Sequence, residues 1–291
     1  MRWIEISVSA TPENTKEIAA ILGRYGQGGA AVEERESGDE KSIIIKAYIS
    51  SGRSVNNIKQ EIEQSLSHLP GSVSIAERSL DPEDWFSPLK EHFHTIEIGE
   101  KLVIKPEWIA SPLPLSDRTV IELDPGAAFG TGLHPTTRLC LVRIEKHIRP
   151  GMSVFDLGTG TGILSIAAAK LGAASVMSLD IDPVAVKVAR RNSVVNAVDK
   201  HIRVNRGTLS AGVQRMHRDR FDMALANITA RAICGVAERL IKVLKPGGIL
   251  IASGINAQGL DEVLICLAVA GFNLEAIDQA DEWYAVAACR P

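Results

Sequence analysis

The sequence has little of several features that mark specialised classes of protein. Its 291 residues include four cysteines, and aromatic residues make up 4% of the chain. The cysteines are scattered without C-x-x-C pairing, so buried free thiols are expected, whereas a disulfide framework or a metal site is not. No uninterrupted apolar stretch approaches the length that crosses a bilayer. A membrane protein is therefore not expected.

An excess of charge of one sign is also missing. The chain has 32 Lys and Arg against 35 Asp and Glu, a net charge of −3. No overall field therefore attracts nucleic acid or an anionic membrane. The first residues lack the apolar region of a secretory signal peptide, and a cytoplasmic location is expected. The hydrophobic content of 45% is ordinary for a globular protein, and the length suits about two domains.

The strongest functional signal is residues 154–163, which read Val-Phe-Asp-Leu-Gly-Thr-Gly-Thr-Gly-Ile. The apolar start predicts a buried strand, the glycines predict a sharp turn, and residues 163–171 predict a helix. The glycines are Gly158, Gly160 and Gly162. The next predicted strand, 175–180, ends at Asp180. Nucleotide-binding α/β folds place a carboxylate at that point, against ribose hydroxyls.

The glycine spacing indicates which nucleotide the turn binds. A dinucleotide fingerprint requires G-x-G-x-x-G, which fails because Ile163 stands where the last glycine belongs, and no Gly-Lys-Ser/Thr phosphate loop is present. Asp156, two residues before the first glycine, would repel a pyrophosphate but attract an amino group. The pattern D-x-G-x-G-x-G, with an acid one strand later, resembles the S-adenosylmethionine loop of class I methyltransferases. A generic tight turn is the weaker alternative, because both acids are in register.

A second informative segment is residues 124–137, in which three glycines flank Phe129 and a proline-started helix follows. Helix N-termini favour anions, so the hydroxyls of Thr136 and Thr137 are placed to bind the carboxylate of the cofactor's methionine part. The alternative is a mobile loop with an ordinary helix cap. His134 is a candidate base, although a histidine beside a helix start is often a hydrogen-bonding surface group.

A third segment, residues 225–230, ends an apolar strand and contains Asn227. The side-chain carbonyl of Asn227 can accept a hydrogen bond from an incoming amine and aim its lone pair at a methyl group. A lysine amine with a pKa near ~10.4 is mostly protonated at neutral pH, so the site must also favour its neutral form. A structural alternative is that Asn227 caps the predicted helix 229–243. Both roles are compatible.

The chain is predicted to contain two domains and a connector. Residues 1–80 follow the order β-α-β-β-α-β of a ferredoxin-like split fold. Their central strands offer only Tyr48 for stacking on a base. Residues 1–80 contain 9 Lys and Arg and 11 Asp and Glu, a slight excess of negative charge. Direct RNA binding is therefore not expected, and protein docking or structural support fits better. Residues 81–118 read as a connector with a hairpin near 95–105.

Residues 119–291 alternate strands and helices, which predicts a doubly wound α/β sheet with an antiparallel last strand. The strands are predicted at 119–123, 153–156, 175–180, 202–206, 221–225, 248–253, 273–278 and 284–289, and the helices at 135–148, 162–171, 183–196, 229–243 and 258–270.

In order and spacing, these motifs resemble one family, the bacterial methyltransferases of large-subunit ribosomal protein eleven. The matching segments are 124–137, 156–162, 179–183 and 226–228, with further similarity at 3–6, 84–85, 93–94 and 282–283. The resemblance implies an N-terminal domain that recognises the ribosomal protein, free or in the ribosome. It implies a catalytic domain that trimethylates lysine ε-amines and the α-amine with S-adenosylmethionine. The cofactor contacts that it implies are Thr137, Gly158, Asp180 and Asn227.

The wider group of amino-methyltransferases carries Asn-Pro-Pro-Tyr/Phe, whereas Asn227 is followed here by Ile-Thr. The aromatic cage of the amine is then assigned to Phe129 or Phe93. A monomer is expected. Two alternatives stay open: the same chemistry on another protein lysine, and a non-catalytic S-adenosylmethionine-binding scaffold. The presence of Asp156, Asp180 and Asn227 argues against the scaffold.

Overall fold

The computed structural model divides the chain into two compact units, Met1–Phe93 and His94–Pro291. It describes residues 3–23, 25, 30–37, 40–50, 55–66, 75–80, 95–109, 118–123, 132 and 134–291. Two parts of the sequence-based predictions lie outside the described residues, namely Phe93 and most of the glycine loop that contains Phe129.

The first unit is a four-stranded antiparallel sheet with two helices. Its elements are β1 (Trp3–Ala10), α1 (Thr15–Gly23), β2 (Ala30–Ser37), β3 (Glu40–Ser50), α2 (Val55–Leu66) and β4 (Ile75–Leu80). The strand order is β2-β3-β1-β4, and the described pairs are antiparallel. Alternate residues of β1, Ile6 and Val8, share a core with Ile18 of α1 and Ile62 of α2. The predicted ferredoxin-like split fold is confirmed.

Three short strands precede the main sheet of the second unit. They are β5 (Ile96–Ile98), β6 (Leu102–Pro106) and β7 (Thr119–Leu123), in the order β5-β6-β7. The first two form the predicted hairpin, and β7 runs parallel to β6. The prediction that residues 119–123 belong to the main sheet is wrong in the described part of the chain. A short apolar run predicts a strand, but its pattern does not specify which strand it pairs with.

The main sheet has seven strands in the order β10-β9-β8-β11-β12-β14-β13. The strands are β8 (Ser153–Leu157), β9 (Ser175–Asp180), β10 (Ile202–Arg206), β11 (Phe221–Asn227), β12 (Leu244–Asn256), β13 (Asn273–Ala280) and β14 (Trp283–Cys289). The helices are α3 (Pro135–His147), α4 (Ile163–Lys170), α5 (Pro183–Val195), α6 (Ala211–Met216), α7 (Ala230–Val243) and α8 (Leu260–Ala270). The neighbouring pairs from β10 to β12 are parallel, which confirms the predicted doubly wound sheet. Strand β14 is antiparallel to both neighbours, as predicted for the last strand.

Both faces of this sheet are covered, as expected for parallel strands. Successive residues of β8 show it, since Val154 belongs to one apolar cluster and Phe155 to the other. Of the four cysteines, all free, Cys140 is buried. Among the described helices, none combines the length and apolarity needed to span a bilayer.

Candidate active site

The carboxyl ends of three neighbouring strands meet at one edge of the sheet. Strand β8 lies between β9 and β11, and Leu157 is level with both Leu179 and Ala226. The glycine turn, Asp180 and Asn227 follow directly after these positions. The fold therefore brings together three predicted site segments that are distant in sequence.

The glycine turn is too tight for side chains. Gly158, Gly160 and Gly162 have φ angles of 76°, 56° and 86°, a region that residues with a Cβ rarely adopt. A Cβ on Gly158 would lie 2.4 Å from Cγ2 of Ile228, and one on Gly162 would lie 3.1 Å from Cβ of Ala189. The turn thus lies against Ile228, directly after β11, and against α5, with no room for side chains at these two positions.

The Asp180 carboxylate fastens this turn to the end of β9. Its Oδ2 accepts a hydrogen bond from the Gly160 amide at 2.9 Å, and its Oδ1 accepts one from the Asp182 amide at 2.9 Å. The Leu179 carbonyl accepts further bonds from Gly158 and Thr159, at 2.8 and 3.1 Å. Each carboxylate oxygen keeps acceptor capacity for a hydroxyl donor such as a ribose. The pattern of acids and glycines gave no sign of these backbone contacts.

The Asp156 carboxyl lies completely inside the protein, with 0% exposure. Its Oδ2 accepts hydrogen bonds from the hydroxyls of Thr159 at 2.7 Å and Ser165 at 2.5 Å, and Ser178 contacts Ser165 at 2.7 Å. Its Oδ1 is buried and has no partner among the described residues. Burial raises the pKa of Asp156 to about 6, although the two hydroxyls oppose that shift. An orphan carboxylate oxygen of this kind fits a cationic donor such as an ammonium group.

The Asn227 amide ends β11 and points at the start of α3. Its Nδ2 lies 3.3 Å from the hydroxyl of Thr137, which is itself fully buried. Its Oδ1 is buried and unpartnered within the described ranges. Helix α7 begins at Ala230 with Thr229 as its N-cap residue, so the alternative that Asn227 caps this helix is wrong. The amide is instead oriented by Thr137, with its carbonyl left as an acceptor.

His134 is the N-cap residue of α3. Its Nδ1 lies 2.8 Å from the Thr136 hydroxyl and accepts a bond from the Thr136 amide at 3.4 Å. Its ring packs edge-on against Trp283, with 4.8 Å between centroids. Burial lowers the pKa of His134, while nearby Glu282 opposes this. The geometry supports a hydrogen-bonding role at the helix start. The contact with Trp283, far along the chain, could not be read from the sequence.

A mostly parallel seven-stranded sheet, a glycine turn after one strand and an acid at the end of the next define a class I S-adenosylmethionine-dependent methyltransferase. The comparisons specify the family. The family described as Ribosomal protein L11 methyltransferase matches residues 2–291. The chain belongs to this family, and it is a methyltransferase that uses S-adenosylmethionine.

Individual relatives agree with this assignment along their whole length. A Ribosomal protein L11 methyltransferase from Geobacillus kaustophilus is 37% identical, covering 100% of both chains. The one from Chloroflexus aurantiacus is also 37% identical, covering 99% of this chain and 98% of the relative. A crystal structure of ribosomal protein L11 methylase from Lactobacillus delbrueckii is 35% identical, with a TM-score of 0.63. That match covers 68% of this chain and 99% of the other.

Proposed function

We propose that this chain transfers methyl groups from S-adenosylmethionine to amines of ribosomal protein L11, including lysine ε-amines and the α-amine. The observation that carries the proposal is a pair of buried acceptor oxygens without partners among the described residues, Asp156 Oδ1 and Asn227 Oδ1. Asp156 is level with Leu225, and Asn227 stands two residues further along the neighbouring strand. Two positions of a strand span roughly 7 Å. The site therefore offers two separate acceptors at one edge.

The first acceptor, Asp156 Oδ1, fits the ammonium group of the cofactor. The Asp156 carboxylate has the charge to hold an ammonium group, and the Asp180 carboxylate has acceptor capacity for ribose hydroxyls. The tight glycine turn between them, at Gly158, Gly160 and Gly162, lets the backbone approach the rest of the molecule. S-adenosylmethionine supplies an electrophilic methyl group on a sulfonium when it is bound.

The second acceptor, Asn227 Oδ1, fits the amine that receives the methyl group. Asn227 Oδ1 accepts an N–H of a neutral amine, which aims the nitrogen lone pair along the line of displacement. Thr137 holds the Asn227 amide in that orientation from the far side, through the contact with Nδ2. We assign His134 a positioning role, because it organises the turn of α3 that carries Thr137. Phe129, proposed for the amine cage, lies outside the described residues.

The N-terminal unit is proposed to recognise the protein substrate. Its sequence has 9 Lys and Arg against 11 Asp and Glu over residues 1–80, a balance that does not favour RNA. The monomeric state and the cytoplasmic location are part of the same proposal.

The proposal is tested by incubating the enzyme with S-adenosylmethionine and purified ribosomal protein L11, followed by mass spectrometry of the intact protein and its peptides. We expect successive methyl additions on amines, and about 100-fold slower addition by the Asn227→Ala variant. A parallel reaction with the other proteins of the large subunit distinguishes L11 from another lysine substrate. Tight cofactor binding without transfer to any of these proteins would contradict the proposal and favour a scaffold.

A further inference from the structure

The second unit has a groove at the opposite edge of the main sheet that the site described above does not use. It has a volume of about 460 Å³ and lies where strands β9, β10 and β11 begin. Ser175 lines it, whereas Asp180 at the other end of the same strand belongs to the cofactor edge. Five residues of strand separate the two ends by roughly 15 Å. The groove has the size of a small-molecule site and is distinct from the methyl-transfer site.

The floor of the groove is apolar. It is formed by side chains that belong to the core, including Val176 and Phe221 at 2% exposure and Ile202 at 8%. The Phe221 ring packs against the ring of Phe155 beneath it, with 5.2 Å between centroids. Such a floor offers an apolar contact to a ligand, beside polar lining groups such as Ser175 and Asn205.

The rim is cationic, in contrast to the chain as a whole. Lys200, Arg203 and Arg220 line the groove, and Asp199 is the carboxylate among the lining residues. None of the three cations makes an ion pair within the described part of the chain. The lining of the groove thus has three positive charges and one negative charge, whereas the whole chain has a net charge of −3. The local potential attracts anions.

One of these cations is already held in place. The Arg220 guanidinium lies over the Phe221 ring, 5.9 Å from its centroid, and its Nη1 is 3.2 Å from Nδ1 of His217. Burial lowers the pKa of His217, and Arg220 adds to the effect, so the imidazole is a neutral partner for the guanidinium. The remaining N–H donors of Arg220 stay available to an anion on the rim.

We infer that this groove binds an organic phosphate of about nucleotide size, with its phosphate on the cationic rim and its apolar or planar part on the floor. Guanidinium groups match phosphate oxygens in geometry as well as charge, which favours a phosphate over a carboxylate. The core side chains of the floor supply the contact that inorganic phosphate alone would not use. Neither the cationic rim nor the apolar floor of the groove takes part in methyl transfer.

Uridine monophosphate is a suitable probe, titrated by calorimetry into the full chain. S-adenosylhomocysteine is kept at saturation, so that the nucleoside part cannot enter the cofactor edge. We expect binding by uridine monophosphate and at least tenfold weaker binding by uridine or by inorganic phosphate. A uridine oligonucleotide without a terminal phosphate is titrated in the same way. Tighter binding by the oligonucleotide, lost with the same variants, identifies an RNA strand as the source of the phosphate.

Arg203→Gln and Lys200→Gln are expected to weaken the binding of uridine monophosphate by about tenfold or more, the scale of a charge-assisted hydrogen bond. Arg215→Gln is the matched control, because Arg215 is exposed on nearby α6 and does not line the groove. Equal affinity in the wild type and the Arg203→Gln and Lys200→Gln variants would overturn the inference. Binding of uridine as tight as that of its monophosphate, or no binding at all, would also overturn it.

Discussion

At the scale of single residues, burial makes the Asp156 carboxyl sensitive to pH. Its pKa rises from 3.8 to about 6 because desolvation penalises the charged form. The protein without cofactor thus gains stability from this group at low pH, and that contribution is lost as the pH rises through about 6. An ammonium group beside Oδ1 reverses the preference, since it favours the charged carboxylate. Cofactor binding should therefore take place with release of a proton below about pH 6.

From this linkage, we predict that S-adenosylmethionine binds roughly tenfold more weakly at about pH 5 than at about pH 7.5. Asp156→Asn should bind weakly at both values, with a flat pH profile, because the amide cannot titrate. Calorimetry with both proteins measures the two profiles. The matched control is Glu238→Gln, on the exposed surface of α7, which should retain the wild-type profile. A flat profile in the wild type would show that Asp156 does not hold the ammonium.

The Asn227 amide is predicted to act on the geometry of methyl transfer. Asn227→Ala should lower kcat by about 100-fold or more at saturating cofactor, the scale expected for misplaced reacting atoms. Thr137→Val keeps the shape of the supporting side chain but removes the hydroxyl that contacts Asn227 Nδ2. We expect this variant to lose a smaller part of kcat, with the affinity for the protein substrate nearly unchanged. Steady-state kinetics at saturating cofactor measure both effects, and near-normal kcat in Asn227→Ala would remove this residue from the mechanism.

The Asp180 carboxylate is expected to affect both the ligand and the fold. Asp180→Ala should weaken S-adenosylmethionine binding by about 1.5–3 kcal/mol, the scale of a charge-assisted hydrogen bond. It also removes the two acceptors of the Gly160 and Asp182 amides, so the free energy of unfolding should fall as well. Denaturant unfolding and calorimetry measure the two losses, and cofactor affinity within twofold of wild type would refute the ribose assignment.

At the scale of elements, helix starts were the most predictable features because their signals are local. The helices at 135 and 183 both begin with a proline that follows a capping residue, His134 and Asp182. The cap bonds join atoms two residues apart, so the sequence contains all that is needed to place them. The grouping of the glycine turn, Asp180 and Asn227 at one edge of the sheet was predictable for a similar reason, because each lies at or just after the end of a predicted strand.

Features that depend on distant partners were not predictable. Helix α6, at Ala211–Met216, is too short to show a helical period, and it was missed. Strand β12 begins at Leu244, four residues before the predicted start, because the Lys-Pro-Gly-Gly stretch reads as a turn. In the site, the hydrogen bond that Asp180 accepts from the Gly160 amide and the contact between Ser165 and Ser178 behind Asp156 join groups from different elements. Such contacts are determined by packing, and a single sequence carries no local signal for them.

One element-scale prediction concerns the approach of β12 to the residue after Asn227. Gly254 has a φ of 84°, and a Cβ there would lie 2.3 Å from the carbonyl oxygen of Ile228. Gly247 has a φ of 75° with nothing within 4 Å, so it is a matched control for backbone strain alone. Gly247→Ala should cost about 1–2 kcal/mol of stability and leave kcat unchanged. Gly254→Ala should cost more and also lower kcat, since Ile228 must move and Asn227 moves with it.

Thermal unfolding and steady-state kinetics on the two glycine variants separate these effects. A second control is Gly235→Ala on α7, where a Cβ meets nothing within 4 Å. This helical position should tolerate alanine or gain slightly from it. Equal losses in Gly254→Ala and Gly247→Ala would show that the contact with Ile228 has no consequence for the site.

At the scale of the whole molecule, the two units have separate cores. The core of the first unit uses residues up to Leu66, with Ile75 packed against it, and both clusters of the second unit begin at or after Ile96. We predict that residues 94–291 alone bind S-adenosylmethionine normally but lose most methylation of ribosomal protein L11. Calorimetry and mass spectrometry give the two readouts. Undiminished methylation by the shortened chain would refute a docking role for the first unit.

The contacts of Asp180 also bear on how fast the site can be filled. They join protein atoms only, so they form when the chain folds, and the conformational entropy of the glycine turn is lost at that stage. Binding of the cofactor then needs no ordering step at this turn. Its association should follow a single exponential whose rate rises linearly with concentration, and differences in affinity among variants of the turn should appear mainly in the dissociation rate. The methyl donor thus encounters a turn that the Asp180 carboxylate and the Leu179 carbonyl have already ordered.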